Sequence, residues 1–479
     1  MKTIHTDIAV IGSGCAGMAV AHTAASLGAK VILFEKGREL GGPVKGAHGP
    51  FAVESHWQRD RQISLTKEEA FRKLMEFTHW RVDAKLASDY INKSANTIDW
   101  LESMGVQFSD LVAYFQGAEY TWHFKGHEAA PITDCIWAKA KELGVEALTE
   151  TPVRRLVKQD GRVTGLVATD ASGEELHVQA RAVVICTGGF GGNVEWIKKY
   201  TGFEQGRNLF SFSFPDVQGD GIRMAWEAGA DRSEMIMQTY VCMPEPHWGP
   251  GGTPFDLGTF RQPGLMINAL GERFMNEETM RNPAFAANAV ARQKGGCAFM
   301  LFDEATNKHY EANDWDFQMS KLPATRASDI PGFIEKTRSE GYQHLFMGDS
   351  LDELAQAMGV DATVLKATVD DYNQACDKGR DETFHKSARH LRPIRVPRFY
   401  AARFYLGGYG SLGGIRINWR TQVLTSEQDV IPGLYAAGRD ANALYGDTYP
   451  YMMAGNDSSF DYNTGRIAGE QAVRDLDLK

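Results

Sequence analysis

Residues 7–35, DIAVIGSGCAGMAVAHTAASLGAKVILFE, constrain the fold of this chain more than any other stretch. DIAVI, 7–11, is a short apolar run of strand type, the alanine-rich stretch from Met18 to Leu27 reads as a helix, and KVILF, 30–34, is the next strand. Between the first two lies GSGCAG, in which Gly12, Gly14 and Gly17 form G-x-G-x-x-G, while Glu35 closes the second strand. The first glycine permits a tight turn, the second lets a pyrophosphate approach the backbone, and the third lets helix and strand pack. Phosphates then meet the helix N-terminus, and the acid accepts from a ribose hydroxyl. A glycine turn alone carries little weight. Here strand, helix and acid all sit where a dinucleotide site needs them.

The remaining chain is too long for one ordinary core, since 479 residues imply two domains. Residues 151–191 read as strands broken by DG and SG turns, and residues 235–409 alternate amphipathic helices, such as DATVLKATVDDYNQACDKG, with Pro- and Gly-rich loops. After them GGIRIN and IPGLYAAGRD return to strands and turns. The pattern predicts an α/β protein whose nucleotide-binding domain comes from both ends of the chain, 1–234 and 410–479, with 235–409 inserted as a cap. A net charge of −10 without a basic run argues against nucleic acid as a partner. No apolar run reaches the roughly 18 residues of a membrane span. The opening MKTIHTDIAVIG lacks the regions of a signal peptide, so a cytoplasmic location is expected. The six cysteines include no C-x-x-C pair, which leaves no attachment for an iron–sulfur cluster or c-type haem, and no metal is expected.

GSGCAG, GGPVKGAHG, TGGFGG, QGDGI, LMINALGERFMNEETMR, and GLYAAGRD through RIAGE together span nearly the whole chain. In these segments the sequence resembles the flavoprotein family of soluble fumarate reductases, succinate dehydrogenase flavoprotein subunits and 3-ketosteroid dehydrogenases. The resemblance implies FAD as cofactor and a Rossmann-type FAD-binding domain with an inserted α+β capping domain. It places FAD contacts on Gly12, Gly14, Ala16, Gly17, Glu35, Lys36, Val44, His48, Gly49, Val153, Thr187, Gly188, Asp220, Gly438 and the loop from Gly455. Pro43 stands where membrane-bound relatives carry a histidine bonded to the flavin, so the expected attachment is non-covalent. Arg439 occupies a contact position that is Glu in soluble fumarate reductases.

The same resemblance places the proton-donating arginine of fumarate reductases on Arg281. A free guanidinium is a poor acid, so the role requires a desolvated site and a relay, for which Glu277 and Glu278 are candidates; the plainer alternative is an arginine paired with a carboxylate for packing. The residues that clamp a dicarboxylate are missing. The first histidine falls on Tyr240, the second on Gly410, and the arginine on Met452 or Tyr449. A buried carboxylate without charge-assisted partners is costly, which disfavours fumarate. GDTYP, 446–450, instead resembles the G-x-T-Y-P of 3-ketosteroid dehydrogenases, where a tyrosine hydroxyl and a glycine N–H hold a ketone oxygen. That glycine is Gly455 here, and the tyrosine is Tyr449 or Tyr451, with Met452 and Met453 as adaptable apolar filler.

The resulting expectation is reduction of a small apolar unsaturated carbonyl compound, such as a 3-keto-4-ene steroid. Arg281 would deliver the proton, and Tyr449 or Tyr451 would polarise the carbonyl with Gly455. Three alternatives stay open: an oxidative ketosteroid dehydrogenase with Tyr114, Tyr120 or Tyr240 as base, a reductase of unsaturated carboxylates, and a flavin electron-transfer subunit. With no second dinucleotide fingerprint, electrons are expected from a separate reduced flavin or redox protein.

Overall fold

A computed structural model describes residues 2–42, 48–126, 131–211, 215–243, 258–317 and 329–477. Its first sheet is built around the strand Lys2–Ile11, whose Ile8–Ile11 end is buried and which pairs in parallel with Val31–Phe34 on one side and Glu175–Ile185 on the other. Glu146–Leu148 extends one edge, and Val430–Ala436 with Gln422–Leu424 extends the other. Residues from both ends of the chain therefore complete one sheet. The first strand is five residues longer than DIAVI, because Leu176–Ala180 of the neighbouring strand supplies a ladder for the polar residues 2–6. Val153–Gln159 and Arg162–Thr169 form an antiparallel arm, turned at Asp160 and Gly161, both with positive φ.

The helix Cys15–Ser26 begins directly after Gly14 and lies against the terminal helix Asn456–Asp475. Two glycines permit that approach. A Cβ on Gly465 would lie 2.5 Å from the Ala16 carbonyl oxygen, and one on Gly469 would lie 3.0 Å from that of Val20.

The second sheet is organised by the long strand Phe399–Leu412, which pairs antiparallel with Ile236–Cys242, Ala298–Asp303 and Leu345–Gly348 and in parallel with Leu209–Ser211. The strand passes uninterrupted through residues 409 and 410, where the sequence reading divides the chain. Helices cover this sheet, among them Ala362–Lys378. Its start is capped by Asp361, which accepts from the Thr363 and Val364 N–H groups; it stops at Gly379 in the left-handed region and buries Leu365, Val369 and Tyr372. Among the described residues no helix is long and apolar enough to cross a membrane.

Candidate active site

At the cofactor end the three fingerprint glycines do three different things. Gly12 has φ +100°, and a Cβ there would lie 2.2 Å from the Cys186 carbonyl oxygen. At Gly17 a Cβ would lie 1.9 Å from the Gly12 carbonyl oxygen, so strand and helix close on each other. A Cβ at Gly14, which caps the helix, would meet nothing within 4 Å. That open side is where the residues present leave room for a pyrophosphate against main-chain N–H groups. Glu35 is held in place by Ser13, whose N–H and hydroxyl donate to it at 3.1 and 2.5 Å, and by the Gly37 N–H at 2.8 Å. Lys36 and Asp220, both expected FAD contacts, pair with each other at 2.7 Å.

The remaining expected contacts are set by backbone geometry. Gly438, with φ +72°, lies where a Cβ would be 2.8 Å from the Ala16 Cβ and 2.9 Å from Asp461 Oδ1. Gly49 backs onto His123, whose carbonyl oxygen would be 1.8 Å from an added Cβ. The His48 ring stacks on Phe124 at 5.3 Å. Val153 opens its strand and is buried. Gly455, with φ +87°, caps the terminal helix, and its carbonyl accepts from the Phe51 N–H at 2.8 Å. Pro43 and Val44 lie outside the described residues.

Thr187 and Gly188 are pinned by Asp440, a residue that sequence reasoning missed. This fully buried carboxylate accepts from the Thr187 N–H, from the Gly188 and Gly189 N–H groups at 3.1 and 2.9 Å, and from the Thr187 hydroxyl at 2.9 Å. Burial pushes its carboxyl up, and the four donors oppose that shift. The acid after GLYAAGR was the available signal, because a buried acid must find donors.

At the candidate chemical end, five tyrosines from four segments converge. The Tyr451 ring lies 4.7 Å from Tyr114 and 4.8 Å from Tyr449, and Tyr240 lies 4.6 Å from Tyr409. The Tyr114 and Tyr409 side chains are hydrogen-bonded, which joins the two groups. Burial raises all five phenols, so they stand as neutral hydroxyls. Arg261 is the second residue that the sequence reading missed; its charge acts on Tyr114, Tyr240, Tyr409 and Cys242. Tyr120, one of the candidate bases, is 52% exposed.

The structure separates Tyr449 from Tyr451. The Tyr449 hydroxyl accepts from the Asp457 N–H at 3.1 Å, whereas the Tyr451 hydroxyl is buried without a hydrogen-bond partner among the described residues. Beside them Met453 is fully buried and Met452 partly so.

Arg281 ends the short helix Glu277–Arg281, with its guanidinium carbon 4.7 Å from the centre of the Phe317 ring. Its Nε is buried without a hydrogen-bond partner, and among the described residues no carboxylate pairs with it. The expected relay is not formed from its two neighbouring acids. Glu277 turns inward, where Arg273 grips both its oxygens at 2.8 Å and Lys386 lies 3.3 Å away. Glu278 pairs with His390 at 2.6 Å and accepts from the Ser387 N–H at 3.3 Å. Burial opposes ionisation of Glu278, but these partners win and lower its carboxyl. A surface group of His56, Asp99 and Glu102 lies within 4.8 Å, yet the ring presents opposite nitrogens to the two carboxylates, the geometry of an ion pair.

Residues 7–456 match the family described as FAD binding domain. Over 480 aligned residues the chain is 32% identical to the vinyl phenol reductase of Lactiplantibacillus plantarum, an alignment that covers 98% of this chain and 96% of that protein. It is 28% identical to the fumarate reductase (cytochrome) of Shewanella frigidimarina, over 98% of this chain and 77% of that one. The structure of the 3-ketosteroid-delta4-(5alpha)-dehydrogenase from Rhodococcus jostii in complex with 4-androstene-3,17-dione aligns with a TM-score of 0.76 at 25% identity, covering 98% of this chain and 96% of that chain.

Proposed function

The chain belongs to the FAD binding domain family and is a FAD-dependent oxidoreductase of carbon–carbon double bonds; from that premise we propose that it reduces an alkene conjugated to a neutral oxygen, a vinylphenol in the first place. The observation that carries this reading is the buried, unpartnered hydroxyl of Tyr451 within a wall of neutral tyrosines. Such a wall accepts a flat apolar ring and offers its oxygen a hydrogen bond, and the full-length similarity to a vinyl phenol reductase supports it. A steroid enone is the second reading, favoured by GDTYP and by Gly455 capping the helix beside Tyr451.

The glycine cradle and the Thr187 loop would hold FAD, which, reduced by a separate flavin or redox protein, would supply hydride chemistry. Arg281 holds the proton for the carbon that the hydride does not take, so the double bond gains both and becomes a single bond. Its buried Nε and its seat on Phe317 give this half-buried guanidinium part of the desolvated setting that the role requires. Tyr451 binds the substrate oxygen as its charge changes, with the Gly455 N–H as a second donor for a carbonyl. The positions that would clamp a dicarboxylate, Tyr240, Gly410 and Met452 or Tyr449, bear no charge. Pro43, standing where a linking histidine would be, supports FAD held without a covalent bond.

The test is anaerobic reoxidation of photoreduced enzyme by 4-vinylphenol, by a 3-keto-4-ene steroid and by fumarate. Fastest reoxidation by 4-vinylphenol is expected, and preference for fumarate would overturn the reading. Reoxidation by none of the three would favour an electron-transfer subunit. The same preparation, precipitated with acid, should leave its yellow colour in the supernatant; colour in the washed pellet would mean a covalent link.

A further inference from the structure

The reaction as described leaves one cluster of charges unused, at the start of the terminal helix. Arg439, on the short helix Gly438–Ala441, donates through Nη1 to the Tyr409 carbonyl oxygen at 3.0 Å and through Nη2 to the Asp457 carboxylate. Asp457 lies in the first turn of the helix and passes its own N–H to the Tyr449 hydroxyl. Among the described residues its other carboxylate oxygen, Oδ1, is buried without a hydrogen-bond partner, and so is Oδ1 of Asp461 one turn further on. Arg439 thus spans the strand that bears Tyr409 and the helix start that holds Tyr449. Its guanidinium, which the sequence assigns to FAD, is engaged by the protein itself.

We infer that Arg439 is a positioning residue of the tyrosine cluster, acting by neutralising Asp457 and fixing the helix start against the Tyr409 strand. The inference rests on reading that cluster as the site of the substrate oxygen. A phenol has one proton and two lone pairs. With the Asp457 N–H on the Tyr449 oxygen, its O–H is directed away from the helix and towards the cluster. Burial opposes the charge on Arg439, and the carboxylates of Asp457 and Asp461 more than restore it. Without Arg439, the Asp457 carboxylate would be a buried uncompensated charge next to Tyr449. It would then compete with substrate for the phenol proton.

The experiment compares Arg439→Gln, Arg439→Lys, Asp457→Asn and the Arg439→Gln/Asp457→Asn double variant by Tm, FAD affinity, kcat and KM. Arg439→Gln should lower Tm and reduce kcat by about tenfold or more, with KM and FAD affinity changed by less than about threefold. The double variant should recover most of both losses, because the lone buried charge is gone. Arg439→Lys keeps the charge but not the two-armed reach, and should hold Tm while losing part of kcat; it also serves if Arg439→Gln does not fold. Weakened FAD binding with no rescue by Asp457→Asn would overturn the inference and make Arg439 a cofactor contact. Rescue of Tm without rescue of kcat would overturn the positioning role. Normal turnover by both Tyr449→Phe and Tyr451→Phe would overturn instead the reading of the cluster on which the inference rests.

Discussion

The two ends of the site are built by opposite means. The cofactor end is main chain: Gly12, Gly14 and Gly17 shape it by what they lack, and Asp440 pins the Thr187–Gly189 loop through its N–H groups. The proposed chemical end is side chain, with Tyr114, Tyr240, Tyr409, Tyr449 and Tyr451 drawn from four segments and with the charge of Arg261 acting on three of them, while Arg281 sits apart on the Phe317 ring. A backbone cradle tolerates few substitutions at any of its glycines but serves every substrate. A side-chain wall can be changed one residue at a time, and with it the alkene that is accepted.

The largest effect should come from Gly17→Ala, whose Cβ would press within 1.9 Å of a main-chain oxygen. Overpacking against backbone should cost about 3 kcal/mol or more in a urea titration, together with FAD binding. Gly14→Ala sharpens the contrast, because its Cβ meets no protein atom. It should fold with an unchanged midpoint yet lose FAD affinity by about 100-fold. Retention of FAD by Gly14→Ala would mean that the open side of this glycine does not face the cofactor.

Substitutions at the chemical end should do the reverse, sparing FAD and damaging turnover. Arg281→Gln should bind reducible FAD and lose turnover by at least about 100-fold, the scale of a positioned acid. Tyr451→Phe should cost about 3 kcal/mol of transition-state stabilisation, and Tyr449→Phe less, since of these two hydroxyls it is that of Tyr451 that finds no hydrogen-bond partner among the described residues. This order reverses the one suggested by the GDTYP match. A larger loss at Tyr449, measured as kcat/KM, would restore the motif-based choice.

The smallest effect lies between the two ends, at His123, whose carbonyl oxygen backs Gly49. Burial lowers its imidazole to about 3, while Ser55 lies 2.7 Å from Nε2 and the Thr121 carbonyl 3.1 Å from Nδ1. Below the unfolded value of about 6.5, the unfolded chain takes up a proton that the folded ring refuses. Stability should therefore fall with falling pH, by up to about 1.4 kcal/mol per unit until the folded value is reached. Urea midpoints at pH 7 and pH 5 measure this, and His123→Gln should flatten the difference. An equal slope in wild type and variant would show that His123 does not govern the acid limb.

Short-range signals carried much of the fold. The βαβ unit is readable because its glycines, apolar runs and closing acid lie within thirty residues of one another. The helix Ala362–Lys378 is readable for a similar reason, since cap, apolar stripe and terminal glycine are all local. Lys2–Thr6 was not, because its polar residues become strand only when Leu176–Ala180 supplies the ladder. Glu277 misled for a related reason. Proximity to Arg281 in sequence suggested a relay, but one turn of chain points the carboxylate at Arg273 and Lys386 instead.

By itself, then, the sequence determined the dinucleotide cradle, the return of late strands such as IPGLYAA beside the first one, and the lack of a charged residue at Tyr240, Gly410, Met452 and Tyr449, the positions to which the resemblance assigns a dicarboxylate clamp. Each depends on residue identity at short spacing or on one residue type missing from a position. Tertiary structure alone decided that Asp440 holds the Thr187 loop, that Arg261 lies by the tyrosines, that Arg439 is spent on Asp457, and that Tyr451 rather than Tyr449 keeps an unpartnered hydroxyl. Those partners are separated by up to hundreds of residues. Hydrogen bonds and burial act over a few ångströms in space, so only the folded chain reveals which polar group is satisfied and which is left for a substrate.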